Sequence, residues 1–431
     1  MTLALILFLS CYALMISFSK YRPYIAAGFA FLFPLLGILP WADVLPSIEW
    51  NVILMIAGTM GLVVLFIDSG MPAHLADRII QASGDLRTAT IALSVFAGIV
   101  SAFIDNVATV LIVAPIAITI AKKLDISPVP SVIAISIASN LEGAATLVGD
   151  TTSILLGGFA HMNFMDFIFY QGKPGLFFIN QIGLFFATLT LYRRFRGERQ
   201  PIRLDSISSV DDHFPTWLIC GMIAALIAAS FFPAIPDPWG ANINGLICMG
   251  FLLAGILVQW IRGKTPGIGR RVLKEIDYPT LLLLASLFVV IAGIKEAGVI
   301  DAIAVFFSRF GSGSLFLLYT LIVWLSVFFS AFIDNIPYVA TMLPVVQSVA
   351  LQMQLDPTVL YFGLLCGATL GGNLTPIGAS ANIASLGMLR REGFSVSNRD
   401  FMRISVPYTL AAVTSAWIMV WLLFAPQPFH F

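Results

Sequence analysis

The sequence predicts an all-α membrane protein. It has about ten full transmembrane helices plus two re-entrant helical hairpins, set in two inverted-topology repeats with unwound helices at mid-membrane. Three observations predict it. First, the 431 residues are 59% apolar and 11% charged, against about 25% charged in a soluble domain, and mean hydropathy is +0.94. Second, the stretch Ser101-Ala-Phe-Ile-Asp-Asn-Val-Ala-Thr-Val-Leu-Ile-Val-Ala-Pro115 returns as Ser330-Ala-Phe-Ile-Asp-Asn-Ile-Pro-Tyr-Val-Ala-Thr-Met-Leu-Pro344, with six identical residues and the closing prolines in register. Gly143-Ala-Ala-Thr-Leu-Val-Gly149 pairs with Gly372-Asn-Leu-Thr-Pro-Ile-Gly378 at the same offset of 229 residues. Upstream, Ile48-Glu-Trp50 pairs with Ile276-Asp-Tyr278, and Gly70 with Gly298, one residue out. Matches held at one period mark a duplication. Third, the Lys and Arg residues sort to one side of a bilayer when each Asp-Asn segment returns to the side it came from.

Taken in order, apolar runs near the ~20 residues of a membrane span fall at about 2–18, 24–41, 50–67, 175–192, 216–232, 241–261, 280–294 and 404–424. The first has no basic residue before it and reads as a span rather than a signal peptide. Segments 88–121 and 314–351 are apolar runs interrupted by Asp105-Asn106 and Asp334-Asn335, and read as hairpins. Segments 131–159 and 358–389 are glycine-rich and broken near Gly149-Asp-Thr-Thr-Ser153 and Gly378-Ala-Ser-Ala-Asn382. The halves are therefore 1–192 and 216–431, joined by a polar connector at 193–215.

With the N-terminus outside, every Lys and Arg except Lys173, Lys295 and Arg309 falls on the cytoplasmic side of a cell (inner) membrane. Each Asp-Asn segment then either crosses fully twice or turns back at mid-depth. The legs 88–104 and 107–121 are short, which favours the re-entrant form. Non-helical backbone at that depth must be covered by protein or line a water-filled cavity. Five full crossings separate the two hairpins, so they enter from opposite sides. The connector, with Arg193, Arg194, Arg196 and Arg199, reads as cytoplasmic, and its Asp211-Asp212 pair as solvated.

Inverted repeats with broken helices mark a secondary transporter whose site lies between the repeats. The acids at inferred membrane depth are Asp105, Glu142, Asp150 and Asp334, and no Lys or Arg lies in those spans. A carboxylate so placed must bind a cation, take up a proton or face water. The candidate ion- and substrate-binding residues are Asp105, Asn106, Thr146, Gly149, Asp150, Thr151 and Thr152 in the first half. In the second they are Asp334, Asn335, Thr375, Gly378, Ser380 and Asn382. Asp105, Asn106, Gly149 and Asp150 are the candidate sodium ligands, and Glu142 the candidate proton carrier. The plainer reading is that the Asp and Asn residues cap helices, that the threonines bond their own backbone and that the glycines allow close packing. The acids are uneven, since Glu142 and Asp150 align with Gly371 and Ala379, so the stronger cation or proton site is expected in the first half. The net charge of zero gives no electrostatic case for nucleic acid. Cys11, Cys220, Cys248 and Cys366 have no ligand spacing, and no catalytic motif appears. Neither an enzyme nor a cofactor is expected.

These residues resemble the ion transporter superfamily. The likeness rests on Phe-Ile-Asp-Asn-Val followed by proline, Gly-Ala-Ala-Thr-Leu-Val-Gly-Asp, Phe-Ile-Asp-Asn-Ile-Pro and Leu370-Gly-Gly-Asn-Leu-Thr-Pro-Ile-Gly-Ala-Ser-Ala-Asn382. It covers almost the whole chain and points to the branch of arsenite-efflux permeases, NhaD-type sodium–proton antiporters and P-protein relatives. Sodium-coupled divalent-anion and citrate transporters are more distant cousins. The resemblance implies hairpin tips and unwound loops that together hold substrate and coupling ions, a homodimer, and an elevator-like transport part. The dicarboxylate cousins carry Ser-Asn-Thr at the tips, where this chain has Asp-Asn-Val and Asp-Asn-Ile. P-protein relatives read Gly-Asp-Pro-Pro-Asn at the first break, where this chain has Gly149-Asp-Thr-Thr-Ser153. The expectation is sodium/proton antiport, or transport driven by either ion. Efflux of arsenite or another small anion or metalloid is the alternative, and citrate or dicarboxylate transport is less favoured.

Overall fold

In the computed structural model, residues 1–202, 207–232, 240–263, 267–311 and 314–426 are described. Arg203, Lys264 and His430 lie outside them. The chain is helical almost throughout. α1 (Thr2–Ser17) and α2 (Arg22–Leu35) pack together, and the short α3 (Trp41–Val44) leads into α4 (Trp50–Asp68). α5 (Met71–Ala82) precedes the first hairpin, α6 (Leu86–Ser101) and α7 (Asn106–Lys123). The first broken helix is α8 (Val129–Gly143) and α9 (Thr151–Phe159). α10 (Phe164–Ile168) and a two-stranded ribbon, β1 (Phe169–Tyr170) and β2 (Lys173–Pro174), lead to α11 (Leu176–Arg194). The ribbon pairs Phe169 with Pro174 and Tyr170 with Lys173, turning through Gln171 and Gly172, both at positive φ, as a two-residue hairpin turn requires.

The second half runs α12 (Phe214–Ala229), α13 (Ile243–Arg262), α14 (Ile268–Glu275), α15 (Tyr278–Glu296) and α16 (Val299–Gly311). The second hairpin is α17 (Leu315–Ser330) and α18 (Asn335–Gln352). The second broken helix is α19 (Thr358–Gly371) and α20 (Ser380–Arg391), and α21 (Asn398–Phe424) closes the chain. Among the described helices, α4, α7, α11, α13, α15 and α21 are long and apolar enough to cross a membrane, and α1, α6, α12, α17 and α19 are shorter apolar helices. The protein is a multi-pass membrane protein.

Elements that correspond in sequence make corresponding contacts. α6 packs on α8 as α17 packs on α19, and α4 on α13 as α15 on α2. Contacts also cross between the halves, with α9 against α18 and α20 against α7. Gly70 and Gly298 both take left-handed backbone, φ 72° and 71°, ahead of α5 and α16. A side chain is strained there, which accounts for glycine at both places. One apolar core runs through both halves, from Phe8 and Phe33 to Tyr319, Tyr361 and Tyr408. Helix association in lipid depends on close packing rather than on expelling water. Gly363, Gly367 and Gly371 accordingly bring α19 against Tyr319, Val323 and Val327 of α17.

Several boundaries differ from expectation. The run expected at 24–41 stops being helical at Leu35, because Gly37 turns left-handed (φ 69°) and Pro40 follows. The last helix starts at Asn398 rather than near 404, where Ser397 caps it by accepting the Asp400 amide. α5, α14 and α16 are short and amphipathic and carry no long apolar run, so the sequence does not mark them as spans. The connector is not free. Asp77 on α5 accepts the amide and hydroxyl of Ser208 at 2.8 and 2.6 Å. Asp212, expected to be solvated, accepts the Phe214 amide at 3.1 Å and Gln259 at 2.8 Å. Partial burial beside α13 leaves that carboxylate in need of protein donors.

Candidate functional site

Each hairpin tip is built the same way. Asp105 caps α7, accepting the Val107 amide at 3.1 Å, and Asp334 caps α18, accepting the Ile336 amide at 3.1 Å. Their backbone angles agree, φ −45° and ψ 137° against φ −52° and ψ 135°. Such caps satisfy helix amides that would otherwise lack partners.

The breaks dock on the tips through backbone. Thr146 donates its hydroxyl to the Ala102 carbonyl, and Thr375 to that of Ala331. A Cβ on Gly149 would stand 2.7 Å from the Gly143 oxygen and 2.8 Å from that of Ser101. One on Gly378 would stand 2.5 Å from the Gly372 oxygen and 2.7 Å from that of Ser330. Only glycine lets the unwound chain lie so close. These four residues hold break to hairpin, and none lines the cavity described below. Each threonine hydroxyl also accepts a local amide, from Val148 or Ile377 at 3.4 Å, but donates to the neighbouring hairpin rather than to its own helix.

Asp150 is where the halves meet. It caps α9, accepting the Thr151 amide at 2.8 Å and the Thr152 hydroxyl at 2.6 Å. The amide groups of Asn106 and Asn335, one from each hairpin tip, both reach it at 3.5 Å. Asn106 also donates to Asn140 at 3.0 Å. Asn140 in turn donates to the Thr369 carbonyl at 2.8 Å and to Asn373 at 3.2 Å. The hydroxyls of Thr152 and Thr369 lie 2.9 Å apart. Asn382 is fully used inside this frame. It donates to the Gly372 and Thr375 carbonyls and accepts from Ser136 at 2.8 Å.

A cavity of about 220 Å³ opens on this junction. Asp105, Asn106, Asp150, Thr151, Asn335 and Ser380 line its inner wall. Met60, Val63 and Ile67 of α4 line its side, and Glu275, Asp277 and Thr280 lie toward the start of α15. Polar groups from two tips and two breaks thus converge on a space with room for several waters or a small ion. The donor set of carboxylates, side-chain carbonyls and hydroxyls suits a hard cation.

Two acids depart from the sequence reading. Asp334 is not unpaired: the Arg22 guanidinium stands 3.2 Å from its carboxylate, although the sequence places Arg22 in a loop. The contact joins residues 312 positions apart, which span-by-span reading does not connect. Glu142 lies outside the cavity wall. It is fully buried between α8 and α11, where Gln181 donates to Oε2. Its Oε1 has no hydrogen-bond partner among the described residues. Sequence reasoning also missed Asn140, Asn373, Thr369, Ser136 and Gln181. The amides among them stand in apolar spans, where a buried polar side chain is costly, and that was a usable signal.

Broken helices packed around a polar junction define a membrane transporter. The sequence profile of the citrate transporter family matches residues 12–367, and the chain belongs to that family, within the ion transporter superfamily. A Mycobacterium tuberculosis protein described as an uncharacterised transporter is 31% identical over 97% of this chain and 98% of its own length. The 46 kDa membrane protein of Mycobacterium leprae is 31% identical over the same shares. The human P protein is 26% identical over 85% of this chain and 52% of its own. The crystal structure of the Alcanivorax borkumensis YdaH transporter superposes with a TM-score of 0.60, covering 88% of this chain and 87% of that one at 13% identity. That likeness concerns the fold.

Proposed function

We propose that the protein is an ion-coupled secondary transporter that exchanges sodium and protons, or is driven by one of them, through alternating access. The observation that carries this reading is the convergence of both hairpin tips on the Asp150 carboxylate. Tips that enter from opposite faces and meet at one residue have turned back inside the membrane. This supports ten full crossings, two re-entrant hairpins and inverted halves at 1–192 and 216–431. With the N-terminus outside an inner membrane, the cavity opens toward the cytoplasm past Glu275 and Asp277. Asp105 and Asp150 bind the cation, Asn106 and Thr151 complete its shell, and Glu142 carries the proton. A homodimer with an elevator-like moving part is the assembly that fits the superfamily.

A second reading has its own support. Asp105, Asp150 and Asp334 cap α7, α9 and α18 with carboxylates, but α20 starts at Ala379 with no side-chain cap. Its Ser380 lines the cavity. An uncapped helix start attracts negative charge, so arsenite, another small anion or a citrate carboxylate could rest there. The family's description as citrate transporters adds to this.

The experiment is flux into proteoliposomes under imposed sodium and pH gradients, run against arsenite and citrate. Asp105→Asn and Asp150→Asn should each weaken apparent sodium affinity about 10- to 100-fold, from roughly 1.5–3 kcal/mol per charged ligand. Unchanged sodium dependence in both would remove the cation site.

A further inference from the structure

Asp105 and Asp334 are matched in sequence, in backbone angles and in the amide each accepts. Their electrostatic surroundings are opposite. Near Asp105 lies a second carboxylate, Asp150, and among the described residues no Lys or Arg makes an ion pair with either. At Asp334 the matching break position is Ala379, and the Arg22 guanidinium is 3.2 Å away. Arg22 is held for this contact. Its Nε donates to the Met15 carbonyl at 3.2 Å, and α1 is fixed to the same hairpin by Tyr12, which donates to the Pro337 carbonyl at 2.7 Å. The titratable groups facing this tip are therefore Arg22, the Tyr12 hydroxyl and, across Asn335, Asp150. The first tip thus has acids alone around it, with Glu275 and Asp277 also on its cavity wall, whereas at the second tip Arg22 offsets the charge of Asp334.

We propose that Arg22 is a tethered cation: its guanidinium fills the second of two related aspartate sites, leaving only the first open to a mobile cation. This rests on the cation-coupled reading and deepens it, because it sets how many mobile ions one chain holds. An arginine suits the task, since it stays charged at any working pH and cannot leave with the substrate. It also gives Asp334, which is mostly buried, a partner of opposite charge.

The test counts ions on the purified full-length protein. Bound radioactive sodium is measured by equilibrium dialysis, and proton uptake by titration from about pH 9 to pH 5, the range in which buried carboxylates titrate. Arg22→Gln should bind one more cation per chain than the wild type, as sodium or as a proton. The double variant Arg22→Gln/Asp334→Asn should return to the wild-type count. Arg22→Lys keeps the charge, so it should also show the wild-type count, and it serves where the Gln variant does not purify. Equal counts in Arg22→Gln and the double variant overturn the proposal, as does an added cation in Arg22→Lys. If the wild type binds no sodium, the sodium reading fails, and the proton counts still decide the role of Arg22.

Discussion

Replacing Gly149 or Gly378 with alanine should separate break from hairpin. At Gly378 the new Cβ would stand 2.5, 2.7 and 3.0 Å from the carbonyl oxygens of Gly372, Ser330 and Ala331. At Gly149 it would stand 2.7, 2.8 and 2.9 Å from those of Gly143, Ser101 and Ala102. All six neighbours are backbone, so no rotamer change relieves the clash. Overpacking of this kind costs ~1–3 kcal/mol. Moving the break away also lengthens the bond from Thr375 to Ala331, or from Thr146 to Ala102, each worth ~1 kcal/mol. Together the loss is about 2–4 kcal/mol. Since ~1 kcal/mol moves a 150–250-residue domain by roughly 2–4 °C, and a longer chain by less, the expected fall in thermal midpoint is about 5 °C. The assay is thermal unfolding in detergent beside sodium-driven flux. Gly28→Ala is the matched control. That glycine lies within α2, where an added Cβ would meet no atom within 4 Å, so alanine there should stabilise by up to ~1 kcal/mol. Midpoints for Gly149→Ala and Gly378→Ala equal to that of Gly28→Ala would refute the docking geometry.

Two further outcomes follow from particular side chains. Glu142→Gln should abolish proton-coupled flux while sodium–sodium exchange persists, and an intact pH-driven flux in that variant would rule out Glu142 as the carrier. Asp85, at the start of α6 outside the apolar span, is held below the ordinary carboxylate range chiefly by the Thr88 amide, which donates to it at 2.7 Å. A lowered folded value means its stabilisation is full above the unfolded value of about 3.9 and is lost as pH falls through the folded one. Asp85→Ala should therefore lower the melting midpoint at neutral pH and have no effect once the pH lies below both values; an equal effect at both pH values would show that the cap is not electrostatic.

The parts of the fold that depend on sequence-local patterns were legible. The repeated Ser-Ala-Phe-Ile-Asp-Asn stretch located both tips, and the glycine pairs located both breaks, because each feature serves backbone that passes within a few residues of itself. Contacts between distant segments were not legible. Arg22 reads as the start of a helix after a loop, and nothing near it in sequence mentions Asp334. α5 and α16 were hidden for a different reason: each buries one face only, so neither shows the continuous apolar run of a membrane span. In the candidate site, Asp105, Asn106, Asp150, Thr151, Asn335 and Ser380 could be named from their motifs. Their neighbours Asn140 and Thr369 were not named: a polar amide in an apolar span marks Asn140, but the period of neither span shows which face meets the other half.

Comparison of the halves shows which positions kept their identity and which did not. Residues that fasten break to hairpin are duplicated: Ser101 and Ser330, Thr146 and Thr375, Gly149 and Gly378. Residues at the junction have in part diverged: Asp150 faces Ala379 in the alignment, Asn140 faces Thr369 and Thr152 faces Ala381, while Asn106 and Asn335 are the same. The placement of these contacts accounts for the difference. Fastening contacts lie within one half, so each copy keeps its own. At the junction, matched positions approach each other, as Asn140 and Thr369 do at 2.8 Å. Asn106 and Asn335 both reach Asp150, so an acid at position 379 would be reached by both as well and would stand close to Asp150. Two carboxylates that close resist sharing a charge state. With Ala at position 379 and Arg22 paired to Asp334, Asp105 and Asp150 are the acids of the tips and breaks that face the cavity, beside Glu275 and Asp277 toward the start of α15. The asymmetry thus falls at the junction between the two related halves, and on the proposed cation-coupled reading it assigns the mobile ion to the first half.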